Sequence, residues 1–226
     1  MAASSGRSLR TLDCPMKFDV AILGSQPVPT IVEQVKLAES LGYDTAWITD
    51  THLVCRELWV TLTACALATS RIRLGPGITV PHTRHISVTA SAAASLDELA
   101  PGRIVVGVGT GGSAAQTMGL TLAQTARTAT LEAMATDLRR LTRRETVRFE
   151  TGADGRLAWL REPRAIPIYA AGSGPRMLAA AGRAHPACLH QHVERALRDL
   201  HAPNCLDLGA ADRLVIGDDG ERLDRG

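Results

Sequence analysis

Residues 71–112 read RIRLGPGITVPHTRHISVTASAAASLDELAPGRIVVGVGTGG, and no other stretch restricts the fold so sharply. Two β-branched runs, Arg71–Val80 and Arg103–Gly109, each stop being apolar at a glycine, and an Ala/Ser/Leu segment with helical spacing lies between them. Strand, glycine-rich loop, helix, strand, glycine-rich loop is the order of a βαβ unit, and such units build parallel sheets. A parallel sheet gathers its strand C-termini on one side, where the following loops hold ligands. Two glycine-lined loops there imply something flat or phosphorylated brought close to backbone.

The same grammar runs through most of the chain. Phe18–Leu23 reads as a first strand ended by Gly24. Thr30, with Glu33 three residues on, reads as a capping box opening a helix that carries Val32, Val35, Ala38 and Leu41, with Gly42 at C′. Thr45–Thr49 is a second strand ending at Asp50, Glu57–Thr69 a second helix and Ile72–Val80 a third strand. His85–Leu99 is a third helix closed by Pro101-Gly102, and Ile104–Gly109 a fourth strand. A long amphipathic helix is expected over Thr121–Leu141. A hairpin follows within Val147–Leu160, its five-residue turn being Thr151–Gly155. Ile166–Ala171 is a fifth core strand, and Gly172-Ser173-Gly174-Pro175 leads into a helix. The count is five βα units plus one inserted hairpin. Beyond Arg183, Val193–Leu200 reads as a short helix and Arg213–Ile216 as a short strand.

Composition narrows the partners. Aromatic residues make up 3% of the chain, too few for a stacking platform for single-stranded nucleic acid, and a net charge of +2 with interspersed signs implies no polyanion. Five cysteines without a CxxC pair fit reduced thiols in a cytoplasmic compartment. Residues 1–16 hold Arg7 and Arg10 but no apolar core, which reads as a disordered extension or a start codon placed ahead of Met16 rather than a secretory signal. No window approaches the ~18 apolar residues of a membrane span. His185, Cys188, His190, His192, His201 and Cys205 match no structural zinc spacing, so their clustering reads as accidental and no metal is expected.

Four places carry candidate chemistry, each with a plainer reading beside it. Gly75 and Gly77 at a strand end read as a tight turn or bulge, or as a backbone surface for a ligand. Gly107, Gly109 and Gly111 lack the full GxGxxG spacing of a dinucleotide site. Gly172, Ser173 and Gly174, between strand and helix with Arg176 nearby, read as a phosphate cradle or as a simple αβ turn. Asp50 follows the second strand; it caps a helix or pairs with an arginine, or it faces a ligand together with His52. His85 has the same ambiguity, as a helix cap or a pocket residue.

The wording GPGITVPHTRH, then ASLDELAPGRIVVGVGTGGS and AAGSGPRMLAAAGR, resembles the luciferase-like flavin- and deazaflavin-dependent oxidoreductases from about Phe18 to about Arg183. The resemblance implies a TIM-type (β/α)8 barrel, and 226 residues are few against the ~250 typical of that fold, so the barrel is expected to be incomplete at its C-terminal end. It divides the chain into a disordered extension (1–16), a luciferase-like barrel domain (17–183) and a divergent C-terminal segment (184–226), the last being a divergent terminus, an internal deletion or a frame-shifted reading. It further implies a cytoplasmic enzyme using coenzyme F420, or alternatively FMN, to move hydride to or from a carbonyl, alcohol or imine carbon of a small molecule. The family offers a homodimer as its usual assembly. An FMN-dependent monooxygenase and a truncated, non-catalytic flavin-binding paralogue are the alternatives. The implied catalytic residues are Asp50, His52 and His85. The implied cofactor-binding residues are Gly77, Ile78 and Thr79, with a cis peptide at Gly77–Ile78; Gly107, Gly109 and Gly111; and Gly172, Ser173, Gly174 and Arg176. Where family members often carry an acid after the fourth strand, this chain has Gly112.

Overall fold

The computed structural model describes residues 17–121 and 128–172, together with strand segments 188–190 and 214–215. Strands β1 (Asp19–Ile22), β2 (Thr45–Ile48) and β3 (Arg73–Pro76) pair in parallel, with Trp47 beside Ala21 and Gly75. β4 (Val106–Val108) joins β3 through parallel bridges Leu74–Ile104 and Thr79–Val108. β7 (Ile168–Gly172), β8 (Cys188–His190) and β9 (Leu214–Val215) continue the parallel series from β4. The described residues thus give an α/β architecture whose parallel strands run in chain order β1-β2-β3-β4-β7-β8-β9. The short β5 (Val147–Arg148) and β6 (Asp154–Gly155) form the inserted antiparallel hairpin.

The connecting helices cover one face of this sheet. They are α1 (Val28–Ser40), α2 (Leu58–Ala68), α3 (Ile86–Leu99) and, beyond the short α4 (Gly112–Thr117) at the loop end, α5 (Thr128–Thr142). Ile31, Val35, Leu58, Leu62, Ala90, Ala93, Leu131 and Leu138 pack on Ala46, Ile48, Leu74, Val106, Val108, Ile168 and Ala170. Each such Val, Ile or Leu contributes about 1.5–3 kcal/mol by leaving water. The alternate strand residues face the other way, and Trp47, Ile78, Val105, Tyr169 and Ala171 form a second buried cluster. Trp47 on β2 and Tyr169 on β7 meet edge to face at 5.5 Å between ring centroids. In a flat sheet those strands would stand about 14 Å apart, three spacings of ~4.8 Å. The sheet therefore curves, and this face is its concave side.

Several element boundaries differ from the sequence reading for local reasons. α1 begins earlier, with Pro27 at N-cap and a proline in its first turn, so Thr30 is no cap. Glu33 instead pairs with Lys36, one turn on, at 2.9 Å. Gly42 does end the helix, at φ +86°. The third strand breaks after Pro76 rather than running to Val80. In the hairpin, Asp154 and Gly155 pair with Arg148 and Val147 instead of lying in the turn. Of the helix expected over 121–141, the described part is α5, which starts at Thr128; residues 122–127 lie outside the described residues, and the short α4 before them was not expected. The segment after Arg183 supplies a strand that the sequence reading lacked, β8, and the expected strand near Leu214 is β9. The helix expected at 193–200 lies outside the described residues. No described helix is long and apolar enough to cross a membrane.

Candidate functional site

Because the strands are parallel, the turns after β2, β3 and β4 lie together at one end of the sheet. Asp50, two residues beyond β2, is 4% exposed. Its Oδ2 accepts a hydrogen bond from the Thr79 hydroxyl at 2.7 Å and pairs with Arg84 Nη1. Its Oδ1 is buried with no partner. A buried carboxylate oxygen normally has a donor, so this bare oxygen marks a place for one that the described residues do not supply. Asp19 Oδ1 is the other buried, unpartnered carboxylate oxygen among the described residues, and it lies at the opposite end, at the start of β1.

Arg84 ties the site to α2. Its Nη2 donates to Glu57 Oε1 at 2.7 Å, while Glu57 Oε2 accepts from the Val60 amide at 2.9 Å and so caps that helix. Burial acts to lower the Arg84 pKa, but the charges and hydrogen bonds of Asp50 and Glu57 outweigh it and hold the guanidinium above its usual value. Arg84 and Glu57 are the site residues that sequence reasoning did not place. The available signal was the plainer reading of Asp50, an arginine pair, and an arginine stands in Thr83-Arg84-His85.

The expected glycine positions are explained first by packing. The Gly77–Ile78 peptide is cis, as the resemblance implies. A Cβ on Gly77 would lie 2.6 Å from Trp47 Cβ. On Gly109 it would overlap Ile78, and on Gly111, at φ +59°, it would overlap Val80. These glycines let the β3 and β4 turns nest together and against β2. Gly107 lies within β4, its carbonyl accepting from the Thr79 amide at 2.8 Å. Thr79 is fully buried, and its hydroxyl is spent on Asp50. Gly172 ends β7 and is buried, whereas Ser173, Gly174 and Arg176 lie outside the described residues.

The two histidines are placed differently. His85 caps α3, with Nδ1 at 3.3 Å from the Ser87 amide, and its ring meets Phe149 edge to face at 4.9 Å. The capping alternative is thus its observed local role. His52 is exposed beyond Asp50. Its neighbour Thr51 reaches across to Ser113 of α4, hydroxyl to hydroxyl, at 3.2 Å. Asp50, Ile78, Thr79 and the β4 turn come together; His52 and His85 lie exposed at the outer edge of the same loops.

A curved parallel α/β sheet with packed glycine turns and a bare buried carboxylate at its C-terminal end is the architecture of a ligand-binding enzyme scaffold. The chain belongs to the luciferase-like monooxygenase family, whose profile matches residues 13–199. It is 37% identical over 172 residues to a 5,10-methylenetetrahydromethanopterin reductase of Methanolobus tindarius, covering 74% of this chain and 51% of that protein. It is 34% identical over 184 residues to an F420-dependent glucose-6-phosphate dehydrogenase of Kineococcus radiotolerans, covering 75% and 55%. Among solved structures, the coenzyme F420 dependent tetrahydromethanopterin reductase of Methanopyrus kandleri superposes with a TM-score of 0.64 at 27% identity, covering 77% of this chain and 55% of that one. The chain spans about half the length of these relatives.

Proposed function

We propose that this chain is an F420-dependent oxidoreductase that passes hydride to or from a carbonyl, alcohol or imine carbon of a small molecule. The observation that carries the reading is Asp50 Oδ1, an orphaned acceptor at the C-terminal end of the strands. A deazaflavin or flavin ring has a uracil-like edge with an imide N–H, the kind of donor this oxygen lacks, so the residues present fit the ring. When bound, the ring supplies the hydride chemistry. The chain's own task would be to bind and orient it: Asp50 would accept the N–H, and the nested turns after β3 and β4, with buried Ile78 and Trp47, would form a dry backing for the ring. The phosphate end is assigned to Ser173, Gly174 and Arg176 by resemblance alone, and Gly174→Val should abolish binding by filling the cradle.

Three further points belong to this reading. The sheet is part of a (β/α)8 barrel: it curves, it has helices on one face, and β1 has a free edge among the described residues, bordered by Leu23, Leu37 and Leu41. The assembly is a homodimer through α2 and α3, whose outer groove of Trp59, Val60, Ala92 and Leu99 is apolar. Sedimentation of Val60→Glu should then show monomers. The compartment is a reducing cytoplasm, in keeping with free thiols at Cys55 and Cys65.

Fluorescence titration with F420 and with FMN tests the reading. Micromolar binding of F420, weaker for FMN, is the expected result. A preference for FMN moves the chain to the monooxygenase alternative, and binding of neither removes the reading.

A further inference from the structure

We propose that Arg84, braced by Glu57, is the positioning residue that aims the Asp50 carboxylate at the bound ring. The inference rests on the cofactor reading above and adds to it two side chains that act through Asp50. Four observations carry it. Arg84 lies in the β3–α3 connection and is largely buried, its side chain 13% exposed. Its two terminal nitrogens go to two different carboxylates, Nη1 to Asp50 Oδ2 and Nη2 to Glu57 Oε1. Thr79 donates to the same Oδ2, so both protein donors crowd one oxygen and leave the other bare. Glu57 is half-exposed but held twice, because its second oxygen caps α2 at Val60.

The physical consequence is a fixed rotamer. A buried aspartate held only by Thr79 could turn about its Cα–Cβ and Cβ–Cγ bonds and offer either oxygen. The second, charged donor on Oδ2 makes that oxygen the anchored one, which leaves Oδ1 to meet the ligand. A lysine would keep the charge but not the planar fork, so it cannot hold both carboxylates in this geometry. Glu57 also spreads the guanidinium charge over two anions, so Asp50 accepts a neutral N–H donor at Oδ1 without competition from a loose cation.

A double-mutant cycle separates positioning from general support. F420 affinity is measured by fluorescence titration for the wild type, Asp50→Asn, Arg84→Met and the double variant, with urea unfolding of each without ligand. Asp50→Asn is expected to weaken F420 at least tenfold, and Arg84→Met by a similar factor. The double variant should be no weaker than Asp50→Asn alone, because Arg84 acts only through Asp50. Arg84→Lys should recover part of the unfolding midpoint but less than a third of the lost affinity. Glu57→Gln, which keeps an oxygen for the Val60 amide, should weaken F420 about threefold with little change in unfolding. Multiplicative losses in the double variant, or wild-type affinity in Arg84→Met, would overturn the positioning role while leaving the cofactor reading standing. A wild-type protein that binds neither F420 nor FMN would overturn both.

Discussion

At the N-terminal ends of the strands, Glu39 Oε1 accepts the amides of Ser70, Arg71 and Ile72 at 2.6–2.9 Å, just before β3 begins. Asp97 gives one oxygen to the Gly102 amide and the other to Arg164, ahead of β4 and β7. Arg103 reaches back to the carbonyls of Ala66 and Ile72. At the C-terminal ends, Asp50 commits one oxygen and leaves the other buried and bare. The same residue types thus do opposite things. Glu39 and Asp97 join helices to strands and give their bonded oxygens to internal donors, although Asp19 Oδ1 at that end is also unpartnered. Asp50 holds an unmet hydrogen bond where the loops open. In parallel α/β folds the first pattern serves stability and the second serves ligands.

The contrast is broken most forcefully at Asp97. Asp97→Ala should cost about 2–4 kcal/mol, since it strips Arg164 and the Gly102 amide of a buried partner. Urea unfolding would show this, and F420 affinity per folded molecule should be unchanged. Asp50→Asn should do the reverse: about 1 kcal/mol of stability, from a weakened charged hydrogen bond, against at least a tenfold loss of affinity. Equal losses of stability and affinity at both positions would erase the distinction between the two ends.

Glu39 sharpens it through pH. Partial burial acts to raise its pKa, but the hydrogen bonds from Ile72, Arg71 and Ser70, with the charge of Arg71, prevail and hold it below the usual carboxylate value. A carboxyl lowered in the folded state stabilises above its unfolded pKa, near 4.3, and loses that contribution as pH falls through the folded value. Glu39→Gln should therefore be about 1 kcal/mol less stable than wild type at pH 7, a gap that narrows in urea unfolding as pH falls below the unfolded value. The smallest effect is chemical. Cys65 is buried, and burial pushes its thiol up to about 11, whereas Cys55 in the β2–α2 loop is half-exposed. Iodoacetamide at pH 8 should label Cys55 well before Cys65, read by peptide mass spectrometry.

What the sequence disclosed followed the strength of its local signals. Parallel strands with glycine turns were legible in 71–112 because β-branched runs, helical spacing and glycine punctuation agree there. Helix starts were less legible: Thr30 and Glu33 form a plausible capping box, yet the prolines at 27 and 29 open the helix a turn earlier. β8 was hidden because Cys188-Leu189-His190 has neither length nor β-branching to announce a strand, and pairing with β7 and β9 makes it one. Asp50 was visible as a polar residue at a strand end. Arg84 and Glu57 were not, because what joins them is a meeting of two loops 27 residues apart in sequence. The glycines at 77, 109 and 111 were found for a partly different reason than expected, since the neighbours they accommodate are the chain's own Trp47, Ile78 and Val80.

Glu57 has two oxygens on two duties, one at the first turn of α2 and one on Arg84. Fraying of that turn would consequently loosen one of the braces on the Asp50 carboxylate, Thr79 being the other. Whatever quiets the loop end must slow hydrogen exchange at the Val60 amide, more than ten residues from Asp50's other neighbours along the chain. By reciprocity, a tighter first turn in α2 must raise affinity at the loops. The helix packed outside the sheet is thus tied to the loop end through a single carboxylate.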